Sequence, residues 1–86
     1  MPSTAALLAE VADGDIGAFA ALYDDIAPSM LATALDITGD LASAETATHA
    51  ALVEIWHTAP RCADAVSDVA TWARAIAAAH ARSHPL

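Results

Sequence analysis

Eighty-six residues allow one domain with a small core, because a chain this short buries only about 60% of the surface its unfolded form exposes. Three arginines, no lysine and eleven carboxylates give a formal net charge of −8. That balance sets the chain against phosphate backbones and anionic membrane surfaces, which are gripped through Lys and Arg, and favours a basic groove on a protein partner. Cys62 is the single cysteine, so an internal disulfide is excluded, in keeping with a cytosolic protein. The first ten residues lack a basic segment and a long apolar run, and no stretch approaches the ~18 uninterrupted apolar residues of a spanning helix. A soluble, cytoplasmic protein without membrane contact is expected.

The hydrophobic fraction is 57%, but most of it is alanine, which favours helix and adds little buried area. Glycine stands only at 14, 17 and 39 and proline only at 2, 28, 60 and 85, so long helices between sparse breaks are expected. Ser3 or Thr4 caps a short first helix carrying Leu7, Leu8 and Val11. Asp13-Gly14-Asp15 reads as a turn, with Asp15 capping a second helix. Ile16, Phe19, Leu22, Tyr23 and Ile26 recur there at helical spacing. Pro28 is expected to interrupt or kink that pattern, which Met30, Leu31, Ala34 and Leu35 resume until Gly39 stops it. Asp40 and Ser43 are both candidate caps for a third helix with a stripe of Ala44, Ala47, Ala51, Leu52, Ile55 and Trp56. Pro60 is expected to end it, leaving residues 59–67 as a loop. Ser67 or Asp68 caps a last helix through Val69, Trp72, Ala73, Ile76 and Ala77, fraying near His84-Pro85. No period-two pattern persists, so the fold class is all-α, a compact bundle of four to five helices forming one domain over residues 1–86.

Read together, the residues carry a resemblance. Leu7-Leu8-Ala9-Glu10-Val11-Ala12-Asp13-Gly14-Asp15, then Ala18-Phe19-Ala20-Ala21-Leu22-Tyr23-Asp24 and Ala27-Pro28, resemble the opening of region 2 of an extracytoplasmic-function (ECF) sigma factor. The spacing to Thr38-Gly39-Asp40, Ala44-Glu45, Leu52, Ile55-Trp56 and Ala59-Pro60-Arg61 is similar, as is Ala70-Thr71-Trp72 followed by Ala75-Ile76-Ala77. The resemblance implies a helical body that docks on the clamp helices of the RNA polymerase β′ subunit and opens the promoter −10 element. It puts the docking face on the helix from about Ser43 to His57, where the family carries an Asp, a Gln-Glu pair and an aromatic residue. Here Glu45 is kept, Thr46 stands at the Asp, Thr48 and His49 at the pair, and Ala51 at the aromatic. The implied partner-binding residues are Glu45, Thr48, His49, Leu52 and Trp56, and the implied DNA-binding residues are Arg61, Arg74 and Arg82. Cys62, Ala63 and Asp64 occupy loop positions where an aromatic and polar residues are usual. Stacking platforms and a positive groove, which single-strand binding needs, are not evident.

The remaining features have bland and sharp readings. Trp56 and Trp72 lie on apolar stripes, so core packing competes with a role as interface anchors. Glu45 and His49 make either a surface pair or part of a partner face. Asp24, Asp25 and Asp36 form either a solvated face or a patch for a basic surface. His80 and His84 have a spacing that metal ligands use, without further ligands nearby. Cys62 and His57 lack an orienting third group, so no catalytic, cofactor or metal site is expected, no small-molecule substrate, and no enzyme activity. The functional expectation is a sigma region 2-like module in bacterial transcription control that acts by protein contact. Its partner is RNA polymerase β′, an anti-sigma factor or another copy of itself, with weak or no DNA binding of its own. The alternative is the N-terminal part of a working ECF sigma factor whose −35-reading region would lie beyond Leu86.

Overall fold

The computed structural model describes residues 3–83: helices α1 (Thr4–Ala12), α2 (Ile16–Thr38), α3 (Leu41–Cys62) and α4 (Val69–Ser83), with a 3₁₀ turn at Ala63–Ala65. There is no strand among the described residues, and the all-α bundle is of four helices. Every helix start is fixed locally by a side-chain oxygen that accepts a backbone N–H three residues on. Ser3 Oγ accepts from Ala6 at 3.1 Å, Asp15 from Ala18 at 3.0 Å, Asp40 from Ser43 at 2.9 Å and Asp68 from Thr71 at 3.1 Å. Between the paired candidates, Ser3, Asp40 and Asp68 are thus the caps. Gly39, at φ 68°, closes α2 by donating to Leu35 at 2.8 Å.

α2 is the axis. Its 23 residues measure about 35 Å at 1.5 Å per residue, which matches the 36 Å long dimension of the molecule. Its buried residues, Ala18, Leu22, Ile26, Met30 and Ala34, recur at every fourth position. A four-residue step overshoots one turn by roughly 40°, so the stripe swings around α2 as it ascends. Its lower part packs with Leu7, Leu8 and Val11 of α1 and with Leu52 and Ile55 of α3. Its upper end, Ala34, meets Ala44 and Ala47 of α3 and Ala81 of α4 in a seam built only of alanines. The large fully buried side chains are Leu8, Val11, Leu22, Ile26, Met30, Leu52, Ile55 and Val69. Phe19, Trp56, Trp72 and Ile76 rim this core in half-buried positions instead of filling it, and Tyr23 is 41% exposed.

Neither internal proline ends its helix. Pro28 does not interrupt α2, and Pro60 does not end α3, which runs on to Cys62; residues 59–67 are helix and 3₁₀ turn before they are loop. An interior proline removes one helix hydrogen bond and crowds the preceding turn, at roughly 3 kcal/mol. Around Pro28 that cost is offset by Ile26 and Met30, both buried on the stripe to either side. Pro60 lies in the last turn, where buried Ala59 anchors the chain, accepting from Ala63, and Cys62 Sγ donates to the Thr58 carbonyl at 3.2 Å.

Candidate functional site

The arrangement that follows from this packing is an open groove of about 640 Å³ between α2 and α3. α2 supplies Tyr23, Asp24, Ala27, Pro28 and Leu31, a second fourfold ladder beside the buried one, and α3 supplies Glu45, Thr48 and His49. Ala27, Pro28 and Leu31 make an apolar surface. Asp24 and Glu45, both exposed, place a carboxylate on each helix, and no Lys or Arg lines the groove.

Two features within it are left unsatisfied by the fold. Thr48 is 6% exposed, and its buried hydroxyl has no hydrogen-bond partner. A buried polar group without a partner costs about 1–3 kcal/mol, so natural cores rarely keep one. Pro28 has no N–H, so the Asp24 carbonyl lacks the bond that the residue four positions on would have supplied. An acceptor-rich, acidic groove with an apolar lining suits a cationic, partly apolar side chain.

The five residues expected on one partner face do not share it. Glu45, Thr48 and His49 come together in the groove. Leu52 is 2% exposed and belongs to the core, so its place on a partner-binding surface is corrected: a side chain on the stripe that packs against α2 cannot also present itself outward. Trp56 is half-buried and opens onto a separate apolar hollow of about 290 Å³ with Ile16, Phe19 and Val53. Its ring meets Phe19 at 5.1 Å and 64°, and Phe19 meets Tyr23 at 6.4 Å and 80°, an edge-to-face ladder from the hollow to the groove.

The arginines are distributed. Arg61 lines a polar cleft with Asp13 and Asp64. Arg74 donates to Thr71 Oγ1 at 3.2 Å within the α4 cap. Arg82 is exposed eight residues along the same helix, roughly 12 Å away at the helical rise. In that cap the backbone N–H of Thr71, then its hydroxyl, hold the Asp68 carboxyl below its usual range, and Arg74 acts in the same direction.

The sequence leaves the α2 side of the groove half-drawn: Tyr23 and Leu31 read as part of the apolar repeat, and Asp24 reads either as solvated surface or as part of a patch for a basic partner. The 23/24, 27/28, 31 spacing was the available signal; which helix it would face was not. Sequence reading missed the contact of His80 Nε2 with Glu54 Oε1 at 2.8 Å, which ties α4 to α3 across 26 residues of sequence. His84 lies outside the described residues, and among those described no group of three metal-ligating side chains converges. No described helix is long and apolar enough to cross a membrane. Neither a family model, nor a curated protein, nor a solved structure matches the chain.

Proposed function

We propose that the chain is a sigma factor region 2-like module of bacterial transcription control that works by protein contact through the α2–α3 groove, and not by gripping DNA. The observation that carries the reading is the gathering of Glu45, Thr48 and His49, the residues the resemblance assigns to a partner face, with Asp24 and Tyr23 of α2 in one groove free of Lys and Arg. A protein helix laid into such a groove meets apolar surface along its length and carboxylates at its flanks, which steer and orient it. The net charge of −8 supports the same reading. Three spread-out arginines neutralise few phosphates, and nucleic-acid affinity grows with the number neutralised.

The test immobilises the full chain and titrates bacterial core RNA polymerase and, separately, an anti-sigma factor that recognises region 2. In parallel, a −10 single strand is tested by band shift. Retention of either protein, lost in the D24K/E45K variant, with no shift of the single strand at physiological salt, is the expected result. A micromolar shift by the isolated chain that weakens steeply with added salt would replace this reading with DNA binding. Failure to retain either protein would overturn it.

A further inference from the structure

The two carboxylates of the groove stand at its opposite ends. α2 and α3 are joined only through Gly39 and Asp40, and Ala34 near the end of α2 packs on Ala44 near the start of α3, so the two helices form a hairpin and positions along it can be counted from the turn. At 1.5 Å per residue Asp24 lies about 21 Å from the end of α2 and Glu45 about 6 Å from the start of α3, which leaves roughly 15 Å between them along the groove. Ala27, Pro28 and Leu31 make an apolar strip over that interval, and no Lys or Arg lines it. The volume of about 640 Å³ is that of a small-molecule site. Two anions separated by an apolar strip describe a ligand with the inverse pattern, cationic at both ends and apolar between.

We propose that the groove binds a linear aliphatic diamine in its doubly protonated form, one ammonium at Asp24, the other at Glu45, and the methylene chain along Ala27, Pro28 and Leu31. The proposal stands on the placement of the two carboxylates and not on the protein-contact reading above. Alkylamines keep their protons until well above neutral pH, as the lysine side chain does, so both ends carry charge. Each ammonium brings three donors and no acceptor, which suits a carboxylate. Each methylene removed from water on the strip adds to affinity in proportion to its area. Charge complementarity decides among small ligands. An acid is repelled by a chain of net charge −8. A compact divalent metal ion meets one carboxylate at a time across such a gap. A polyamine with nitrogens along its length must desolvate charge over an apolar surface, which is costly.

The experiment titrates the full, isotope-labelled chain at physiological salt, where long-range attraction is screened, and follows backbone amide shifts by NMR. The probes are dodecamethylenediamine, long enough to reach both carboxylates, putrescine, too short to do so, spermine, of similar length with four charges, and magnesium chloride. Dodecamethylenediamine is expected to bind saturably with a Kd on the order of 0.1 mM, within the free energy per atom that ligands of its size reach. Its shifts should centre on the groove, and putrescine should bind about tenfold more weakly, with magnesium weaker still. Spermine should also bind more weakly, in spite of its charge. D24N/E45Q abolishes the binding, while E10Q/D36N, with the same change in net charge at exposed residues outside the groove lining, leaves it within about twofold.

An affinity order that follows ligand charge, with spermine first, would overturn the proposal, because that is attraction to an acidic chain and not to a site. Equal loss in the two pairs of variants, equal affinity for the long and short diamines, or no saturable binding would each overturn it as well.

Discussion

The alanine seam where α2, α3 and α4 meet offers a sharp test of the packing. Ala34 and Ala44 are fully buried, and Ala47 and Ala81 nearly so, with half-buried Leu31 the larger neighbour. Helices brought together through methyl groups leave no room to grow, since interiors are packed at crystal-like density. Ala34→Leu adds three carbon atoms at a position with no solvent exposure. Overpacking of this kind costs about 1–3 kcal/mol, and in a domain of this size each kcal/mol lowers Tm by about 4–8 °C. Ala32→Leu is the matched control, because Ala32 lies on the same helix, is exposed, and the two residue types differ little in helix propensity. Thermal unfolding followed by far-ultraviolet circular dichroism should show Ala34→Leu melting about 4–24 °C lower, the product of those ranges, and Ala32→Leu close to the parent. Indistinguishable melting of the two variants would mean that the three helices do not approach through this seam, and the groove beside it would lose its stated geometry.

Three further outcomes follow from local features. Pro28→Ala restores a missing helix bond at an exposed site, so it should raise stability by about 2 kcal/mol, the ~3 kcal/mol helix cost less up to ~1 for the lost unfolded-state constraint; chemical denaturation measures it. Gly39→Ala should cost about 1–2 kcal/mol through the left-handed φ of 68° alone, because a Cβ there meets nothing within 4 Å; an unchanged denaturation midpoint would refute the turn. Asp68 has a folded pKa below its unfolded value of about 3.9, so the stability it confers is present above that value and lost as pH falls through the lower folded one. The Tm gap between the parent chain and Asp68→Ala should therefore be constant near neutrality and narrow below pH ~4.

How much of this was legible in the sequence divides by range. The caps were legible because an N-cap is a three-residue affair: Asp15 reaches Ala18, and Asp68 reaches Thr71, whatever the rest of the chain does. Gly39 was legible for the same reason. That α2 runs on through Pro28 and α3 through Pro60 is not legible locally, because the effect of a proline depends on partners far away in sequence. Pro28 is held in helix by Leu22, Ile26 and Met30, whose burial depends on α1, α3 and α4 arriving. Leu52 exposes a conflict already present in the residues. It lies on the stripe 44, 47, 51, 52, 55 that periodicity assigns to the core, and it was also placed on a partner face by resemblance; its 2% exposure decides for the core. The Glu45, Thr48 and His49 side of the groove could be named in advance; of its opposite wall only Asp24 was a candidate, alongside Asp25 and Asp36 that lie elsewhere, since no local pattern tells which fourfold ladder of α2 will face α3.

The groove gathers at one place three departures from what stability alone would select. A helix this dependent on packing has no structural use for Pro28, since alanine would complete the turn. A buried position has none for the Thr48 hydroxyl, since valine would fill the same space and remove a penalty of about 1–3 kcal/mol. Two carboxylates beside an apolar strip, without a Lys or Arg among the residues lining it, give up the ion pairing that charges on packed helices usually find. Each has an ordinary account when taken singly. Their coincidence matters because sequences break local rules mainly where a function needs the broken rule, and the groove offers a partner a shaped apolar strip flanked by fixed negative charge. Pro28→Ala and Thr48→Val should both stabilise the free chain and both weaken the bound one. A stabilising substitution at either position that left binding untouched would reduce the convergence to chance in a helix that tolerates its proline.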